Sequence, residues 1–488
     1  MRDWLAIRAD ATPAATAIEA AGDVATPLSY AALDRRVETL AGRLAARGVG
    51  VDDPLAVCSP TRAEFVELVH AAQRLGATLV PVDARGTAGE LAARLERVEP
   101  AAVVCEASTE PAVVRAVDVP VLSLDEPTAE AEGLETVRPE PFDLPEWAVD
   151  DPLVVMFTSG TTGEPKAVVL TLANVLAGAT ASAFRLGLTP EDCWHVTLPM
   201  YHMGGLAPVY RSVVYGTALS VQRGFDPETT LSALRTADAT CLSLVPTMLE
   251  RLLEAGTFPE LRFVLLGGAP CPPTLIERAH DRGVPVAPTY GMTEAASQIA
   301  TARPAAAAET PESVGNPLMF AELSVLGEAG APCEAGERGE LVVSGAMVTP
   351  GYLDPAETES AFCSAGLRTG DRGYRDEAGR VYVEGRVDDT IVTGGENVDH
   401  EEVAAALRRH DAVADCAVVG LPDEEWGERV AALVVPDGET TADDLRAHCR
   451  ERLADYKRPR TVGFASEIPR TASGTVDRDA VRRRLEDE

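Results

Sequence analysis

Leu153-Val154-Val155-Met156-Phe157-Thr158-Ser159-Gly160-Thr161-Thr162-Gly163-Glu164-Pro165-Lys166 joins a short apolar run to a loop of hydroxyls and glycines that closes on a lysine. The run Leu153 to Phe157 reads as a strand buried on both faces, the kind found in a parallel sheet. Gly160 and Gly163 admit backbone angles closed to other residues, so successive N–H groups can converge on an anion. Ser159, Thr161 and Thr162 add hydroxyl donors, with Thr158 at the entry to the loop. Lys166 brings a mobile positive charge and is one of only two lysines in the chain, the other being Lys457. The stretch reads as a phosphate grip. It is not a Walker A loop, which carries its lysine directly after the last glycine and runs into a helix, whereas Glu164-Pro165 intervene here.

Working outward, the segment from Leu28 to Glu106 alternates between helical and extended apolar periods. Leu33, Val37, Leu40 and Leu44 share one helical face, Leu55 to Cys58 is a short buried run, Phe65 to Leu75 is helical again, and Leu79 to Val82 is extended. That is a βαβ pattern and predicts a parallel sheet with helices on both faces. A second such unit follows the loop, with strands expected at Val196–Leu198, Leu219–Val221, Cys241–Val245 and Phe263–Leu266. Asp125 to Asp151, rich in Glu, Asp and Pro, reads as a solvated connector between the two. Ala302-Arg303-Pro304 reads as a loop. Beyond it, short strands such as Glu340–Ser344 and Arg380–Val383 suggest a small β-barrel. The expected fold class is therefore α/β: a large N-terminal domain, 1–387, of two doubly wound subdomains plus the barrel, then a small mobile α+β domain, 388–488.

A chain of 488 residues exceeds what one core usually supports, which agrees with this division. Acidic residues number 77 against 43 basic ones, a net charge of −34, and such a surface repels nucleic acid and anionic membranes. Neither is expected as a partner. No apolar run is long enough to span a bilayer, and the N-terminus lacks signal-peptide character, so a cytoplasmic protein is expected. The nine scattered cysteines include no C-x-x-C pair and fit a reducing compartment. The acid is spread along the whole chain and lysine is nearly absent, which reads as adaptation to high internal salt.

Three more motifs line up behind the loop. Thr289-Tyr290-Gly291-Met292-Thr293-Glu294 offers a flat ring for a base, a hydroxyl for a phosphate and a hard oxygen for a divalent cation. Arg368-Thr369-Gly370-Asp371 and Gly385-Arg386-Val387-Asp388-Asp389 complete the set. Taken singly, each has a structural reading as a helix or turn cap. In this order, with the loop, the set closely resembles the adenylate-forming superfamily of acyl- and aryl-CoA ligases, luciferases and peptide-synthetase adenylation domains. The resemblance implies ATP, Mg²⁺ and coenzyme A as ligands. Residues 158–163 and Lys166 would hold phosphate, Tyr290 the adenine, Thr293 the α-phosphate and Glu294 the metal. Asp371 and Arg386 would bind the ribose, and Asp388 would be the pivot on which the C-terminal domain turns between half-reactions.

Over nearly the whole chain, through Leu198 to Leu206, Tyr210 to Gly216, Ser243 to Thr247, Leu265 to Pro270 and Tyr290 to Gln298, the sequence is similar to the 2-succinylbenzoate CoA ligases of menaquinone biosynthesis. That implies His202, Arg211 and Ser297 as contacts to an anionic aromatic acid, with Gly267 and Gly268 letting a flat ring approach the backbone; His202 is also a candidate catalytic residue. For Arg211 alone, a surface arginine is an equally weighted reading. The implied partners are the acid, ATP and CoA, and a homodimer is left open. One position departs from the family. Where its Ser-Gly-Lys motif ends in lysine, this chain has Ser473-Gly474-Thr475. A hydroxyl cannot supply that charge, and losing one such group costs on the order of 3–4 kcal/mol. Lys457, Arg470 and Arg478 are the nearby candidates to replace it. Two alternatives stand beside the leading one: another aryl- or acyl-CoA ligase, and a degenerate member that binds nucleotide or acyl-adenylate without efficient adenylation.

Overall fold

The computed structural model describes residues 3–486 except 21–24, 87, 129, 159–164, 328–329, 388–390, 394–395, 399, 424–426, 451, 454, 472–473 and 475. The chain divides into two units. One comprises Met1–Ser324, Val342–Leu367 and Gly379–Val381; the other comprises Val325–Leu341, Arg368–Ala378 and Tyr382–Glu488.

The first unit is built on two large sheets. In the eight-stranded one, the neighbours run Gly351–Tyr352, Lys166–Thr171, Pro152–Thr158, Thr78–Pro81, Pro54–Cys58, Ala102–Cys105, Val121–Ser123 and Glu132–Gly133. All but the first two strands are parallel, and they are the short continuous apolar runs expected of strands covered on both sides. The nine-stranded sheet runs Asn316–Pro317, Ala300–Thr301, Val286–Tyr290, Phe263–Leu266, Cys241–Leu244, Cys193–Val196, Ala218–Val221, Thr16–Ile18 and Leu28–Ser29. Its central strands are parallel and its edges antiparallel.

Helices cover these sheets for reasons visible in the chain. Tyr30–Ala45 starts where the Ser29 hydroxyl accepts from the Ala32 N–H at 3.2 Å, and it buries Leu33, Val37, Leu40 and Leu44 along one stripe. Leu55, Leu79 and Leu153 of the first sheet share one continuous core with Trp194, Leu219 and Leu265 of the second. At about 1.5–3 kcal/mol for each large side chain buried, this shared core is the main source of the unit's stability.

Three expectations shift on contact with the structure. The strand placed at Val196–Leu198 is Cys193–Val196: Leu198 lies past the sheet edge, half-buried in the turn leading to the helix Met203–Tyr215. The loop at Ala302–Pro304 opens a short helix, Pro304–Glu309, because proline suits a first helical turn, where its missing N–H is not needed. The connector Asp125–Asp151 is not simply solvated. Leu134, Val137 and Trp147 are buried in it, and the Trp147 indole donates to the Gln73 carbonyl at 2.8 Å.

A five-stranded sheet stands where the small barrel was expected: Glu322–Leu326, Gly339–Ser344, Gly366–Arg375 and Phe362–Cys363 in order, with Val381–Arg386 also pairing with Gly366–Arg375. The C-terminal α+β segment carries its own sheet. There Val413–Asp423 and Gly427–Pro436 form a long antiparallel pair, and Thr461–Phe464 adds in parallel. The helices His400–Arg408, Ala442–Arg450 and Arg478–Glu486 belong to the same segment. All nine cysteines are free thiols. No helix among the described residues is long and apolar enough to cross a membrane.

Two core histidines link this fold to pH, His70 and His195, and burial pushes the pKa of each down to about 4. His195 is fully buried between Ser220 Oγ (2.9 Å from Nδ1) and Gln222 Oε1 (3.1 Å from Nε2). The unfolded chain takes up a proton near pH 6.5 that the folded chain refuses. Stability is therefore full above that pH and falls as pH drops toward 4, by about 2 kcal/mol from His195 alone at pH 5. Urea unfolding at pH 7.5 and pH 5 should show the loss, and His195→Gln should reduce the difference between the two pH values by about that amount. An unchanged difference would mean that His195 is not a responsible group.

Candidate nucleotide and acid site

The ends of the phosphate loop are register partners. Thr158 closes one strand, Lys166 opens the next, and the two pair directly in an antiparallel ladder. Residues 159–164, including Ser159, Gly160, Thr161, Thr162 and Gly163, lie outside the described residues. Lys166 Nζ lies 5.2 Å from the centre of the Tyr352 ring. The Tyr352 phenol donates to Glu294 Oε1 at 3.0 Å. The presumed phosphate lysine and the presumed metal ligand, 128 positions apart by number, thus meet through one aromatic side chain. Sequence reasoning missed Tyr352, since a lone aromatic after Pro350-Gly351 carries no local signature.

Glu294 is buried in the 3₁₀ turn Thr293–Ala295, and Thr293 and Tyr290 are half-buried beside it. Immediately after the turn, Ala296 (φ +51°) and Ser297 (φ +108°) occupy backbone conformations that residues with a Cβ seldom adopt. Strain of this kind, of order 1–3 kcal/mol per residue, persists where surrounding structure fixes it, and it concentrates at ligand sites. Among the described residues no cluster of three or more His, Cys, Asp or Glu is arranged to hold a metal. A single carboxylate such as Glu294 nevertheless suits Mg²⁺, which prefers one or two protein oxygens together with phosphate oxygens and water.

Arg211 answers the question its sequence left open. It is not a surface arginine: the helix Met203–Tyr215 buries it to 2% exposure. Its guanidinium stacks 5.3 Å from the centre of the Trp194 ring and donates from Nη2 to Ser297 Oγ at 3.3 Å, while Nε is buried without a partner. No carboxylate among the described residues pairs with it. Burial pushes its pKa down to about 9, which leaves it charged at neutral pH. A buried cation without a counter-ion is costly unless a ligand supplies the anion. The structure thus brings Arg211 and Ser297 together.

His202 caps the same helix and packs edge-on against Tyr201 with ring centres 4.8 Å apart. As a residue it is exposed. Crowding by surrounding protein still lowers its pKa, with Asp83 opposing that shift and Arg85 adding to it. It is therefore suited to act as a neutral hydrogen-bonding group. The space beside Gly267 is taken by Thr289, whose Cγ2 would lie 2.6 Å from an added Cβ, so packing within the protein already requires this glycine. Gly268 has φ +80° and meets only Val245, which makes it the one of the pair with room on its open side.

In the second unit, Arg386 donates to Asp371 Oδ1 at 3.0 Å and to the Thr369 carbonyl at 2.9 Å. The two residues assigned to ribose are joined as a pair. Asp388 and Thr475 lie outside the described residues. The three candidates to replace the family lysine are each tied to other groups: Lys457 to Glu402 at 2.6 Å, Arg470 to Asp415 at 2.8 Å, and Arg478 to His400 Nε2 at 2.5 Å with Glu401 at 4.0 Å.

This geometry can be set beside known proteins. Residues 5–353 match the AMP-binding enzyme family, and residues 402–475 match the AMP-binding enzyme C-terminal domain. The chain is 36% identical over 492 aligned residues to a 2-succinylbenzoate–CoA ligase of Bacillus cereus (strain Q1), covering 100% of this chain and 99% of that protein. Its structure superposes with a TM-score of 0.91 on o-succinylbenzoate CoA synthetase from Bacillus subtilis in complex with the acyl-adenylate intermediate OSB-AMP, at 34% identity over 100% of this chain and 98% of that one. The same Bacillus subtilis enzyme with ATP and magnesium ion superposes at 0.90, with 33% identity and 100% coverage of both chains. With family matches over residues 5–353 and 402–475 and 36% identity along the full chain, this protein belongs to the AMP-binding enzyme family.

Proposed function

We propose that this protein is an ATP- and Mg²⁺-dependent acid–CoA ligase that converts 2-succinylbenzoate to 2-succinylbenzoyl-CoA in menaquinone biosynthesis, acting in the cytoplasm. The observation that carries the choice of acid is Arg211. A buried guanidinium without a carboxylate partner, beside Ser297, suits an acid that keeps a second carboxylate free when its first is activated. The identity to 2-succinylbenzoate ligases over the full chain supports the same reading.

Two steps follow. The carboxylate to be activated attacks the α-phosphorus of ATP, the bond to pyrophosphate breaks, and an acyl-adenylate remains. The thiol of coenzyme A then attacks the acyl carbon and AMP leaves. In the first step Lys166 offsets phosphate charge and Thr293 donates to the α-phosphate. Glu294 would hold Mg²⁺, which neutralises charge on the phosphate oxygens. Residues 158–163 cradle phosphate and Tyr290 stacks on the adenine. Asp371, aligned by Arg386, accepts from the ribose hydroxyls, and Asp388 serves as the pivot between the steps. His202 and Gly268 line the acid site.

Pyrophosphate release measured with a panel of acids tests the reading. Only an aromatic acid with two carboxylates should give full activity, and Arg211→Gln should raise KM for it by tenfold or more while leaving KM for ATP nearly unchanged. Equal activity with monocarboxylic aryl acids would favour another aryl-CoA ligase. No turnover with any acid, despite nucleotide binding, would favour a degenerate member.

Thr475→Lys restores the family's positive charge. Adenylation should accelerate while thioester formation from preformed acyl-adenylate changes little. An unaltered adenylation rate would mean that another cation already fills the role, and Lys457→Ala, Arg470→Ala and Arg478→Ala would each be tested for a collapse in that step.

The charge of −34 is further read as salt adaptation. The melting temperature should climb with KCl up to molar concentrations, and a flat response would refute the salt reading alone.

A further inference from the structure

We infer that Tyr352 is a positioning residue that aims the Glu294 carboxylate at the metal and holds Lys166 in register with it. The inference deepens the proposed function and rests on its assignment of Glu294 to Mg²⁺.

Three sets of contacts meet at the segment around Tyr352. The phenol donates to one carboxylate oxygen, Glu294 Oε1, at 3.0 Å, which fixes the orientation of the carboxylate. The face of the same ring lies 5.2 Å below Lys166 Nζ, a cation–π contact that restrains an otherwise mobile ammonium.

The backbone around Tyr352 is itself braced at both ends. Gly351 and Tyr352 pair antiparallel with Val169 and Val168, on the strand that Lys166 opens. The Thr349 N–H donates to the Glu294 carbonyl at 2.7 Å, and its hydroxyl donates to the Val169 carbonyl. A few residues on, Glu357 pairs with Arg97 at 3.2 Å, and Arg97 donates to the Pro165 carbonyl, next to Lys166, at 2.5 Å. Residues 349–357 therefore form a brace between the exit of the phosphate loop and the turn that bears Glu294. A side chain whose only role is packing would not need its hydroxyl on the carboxylate and its ring face under the lysine.

The physical consequence concerns Mg²⁺ more than the chemistry itself. Groups that orient a ligating carboxylate typically change metal affinity by tenfold or more when removed. The test is adenylation, followed as pyrophosphate release, titrated with free Mg²⁺ in the parent, Tyr352→Phe, Tyr352→Leu and Glu294→Gln. Tyr352→Phe keeps the ring and loses only the donor. Its half-saturating Mg²⁺ should rise about tenfold, while its rate at saturating Mg²⁺ returns to within about threefold of the parent. Recovery at high Mg²⁺ also shows that the variant is folded. Tyr352→Leu loses the ring as well, so its KM for ATP should rise in addition, an effect absent from Tyr352→Phe. An unmoved Mg²⁺ dependence in Tyr352→Phe, beside a shifted one in Glu294→Gln, overturns the inference alone. An unmoved dependence in both variants overturns the metal assignment and this inference with it.

Discussion

The ladder between Pro152–Thr158 and Lys166–Thr171 is the constraint on which the rest of the site depends. It is antiparallel in a sheet that is otherwise mostly parallel, and its end pair is Thr158 with Lys166. Antiparallel register forces a chain that leaves one strand to return beside it, which is why Thr158 and Lys166 stand opposite each other. A Walker loop instead feeds a helix and borrows its N-terminus. Here Lys166 stands on a strand, in register with Thr158 and with its ammonium over the Tyr352 ring.

Charge placement follows a second rule, set by burial. In a chain with 77 acidic residues, arginines such as Arg36 and Arg262 pair with a carboxylate, but among the described residues Arg211 does not. Its helix is fixed by Trp194, Tyr210 and Leu206 in the shared core, so packing holds the guanidinium where no acid is present. A stable core thereby maintains an unfavourable charge. An anionic group bound beside such a charge would return part of the desolvation cost, which is the physical basis of the proposed preference for a second carboxylate.

How much of this was legible in the sequence depended on the length scale. Parallel strands such as Cys241–Leu244 and Phe263–Leu266 were readable because burial on both faces leaves an uninterrupted apolar run. The helix Tyr30–Ala45 was readable from the stripe Leu33, Val37, Leu40 and Leu44. The strand at Cys193–Val196 was misplaced because the apolar texture continues through Leu198 past the point where sheet pairing stops. Trp147 was hidden within an acidic, proline-rich stretch whose composition says nothing about one indole reaching the Gln73 carbonyl. The motif residues were found as residues, but their couplings were not. That Arg211 meets Ser297, or that Tyr352 joins Lys166 to Glu294, depends on contacts across 86 and 58 positions, and no local pattern encodes them.

The second unit poses the remaining energetic question, since its three basic candidates for the missing lysine all sit in ion pairs. Those pairs are partly solvent-exposed: the side chains of Lys457 and Glu402 are 21% and 45% exposed, and those of Arg470 and Asp415 are 40% and 34% exposed. Pairs of this kind contribute roughly 0–1 kcal/mol each. Breaking one to serve a phosphate would therefore cost much less than the 3–4 kcal/mol that a charge at the reacting centre supplies. Energy does not bar any of the three, so reach must decide among them. Arg470 bridges to Val476 and donates to the Gly474 carbonyl, the two residues that flank position 475 in the sequence. Lys457 and Arg478 are anchored instead to the helix that begins at His400, and either would have to leave that helix to act. On these grounds Arg470 is the first of the three to test.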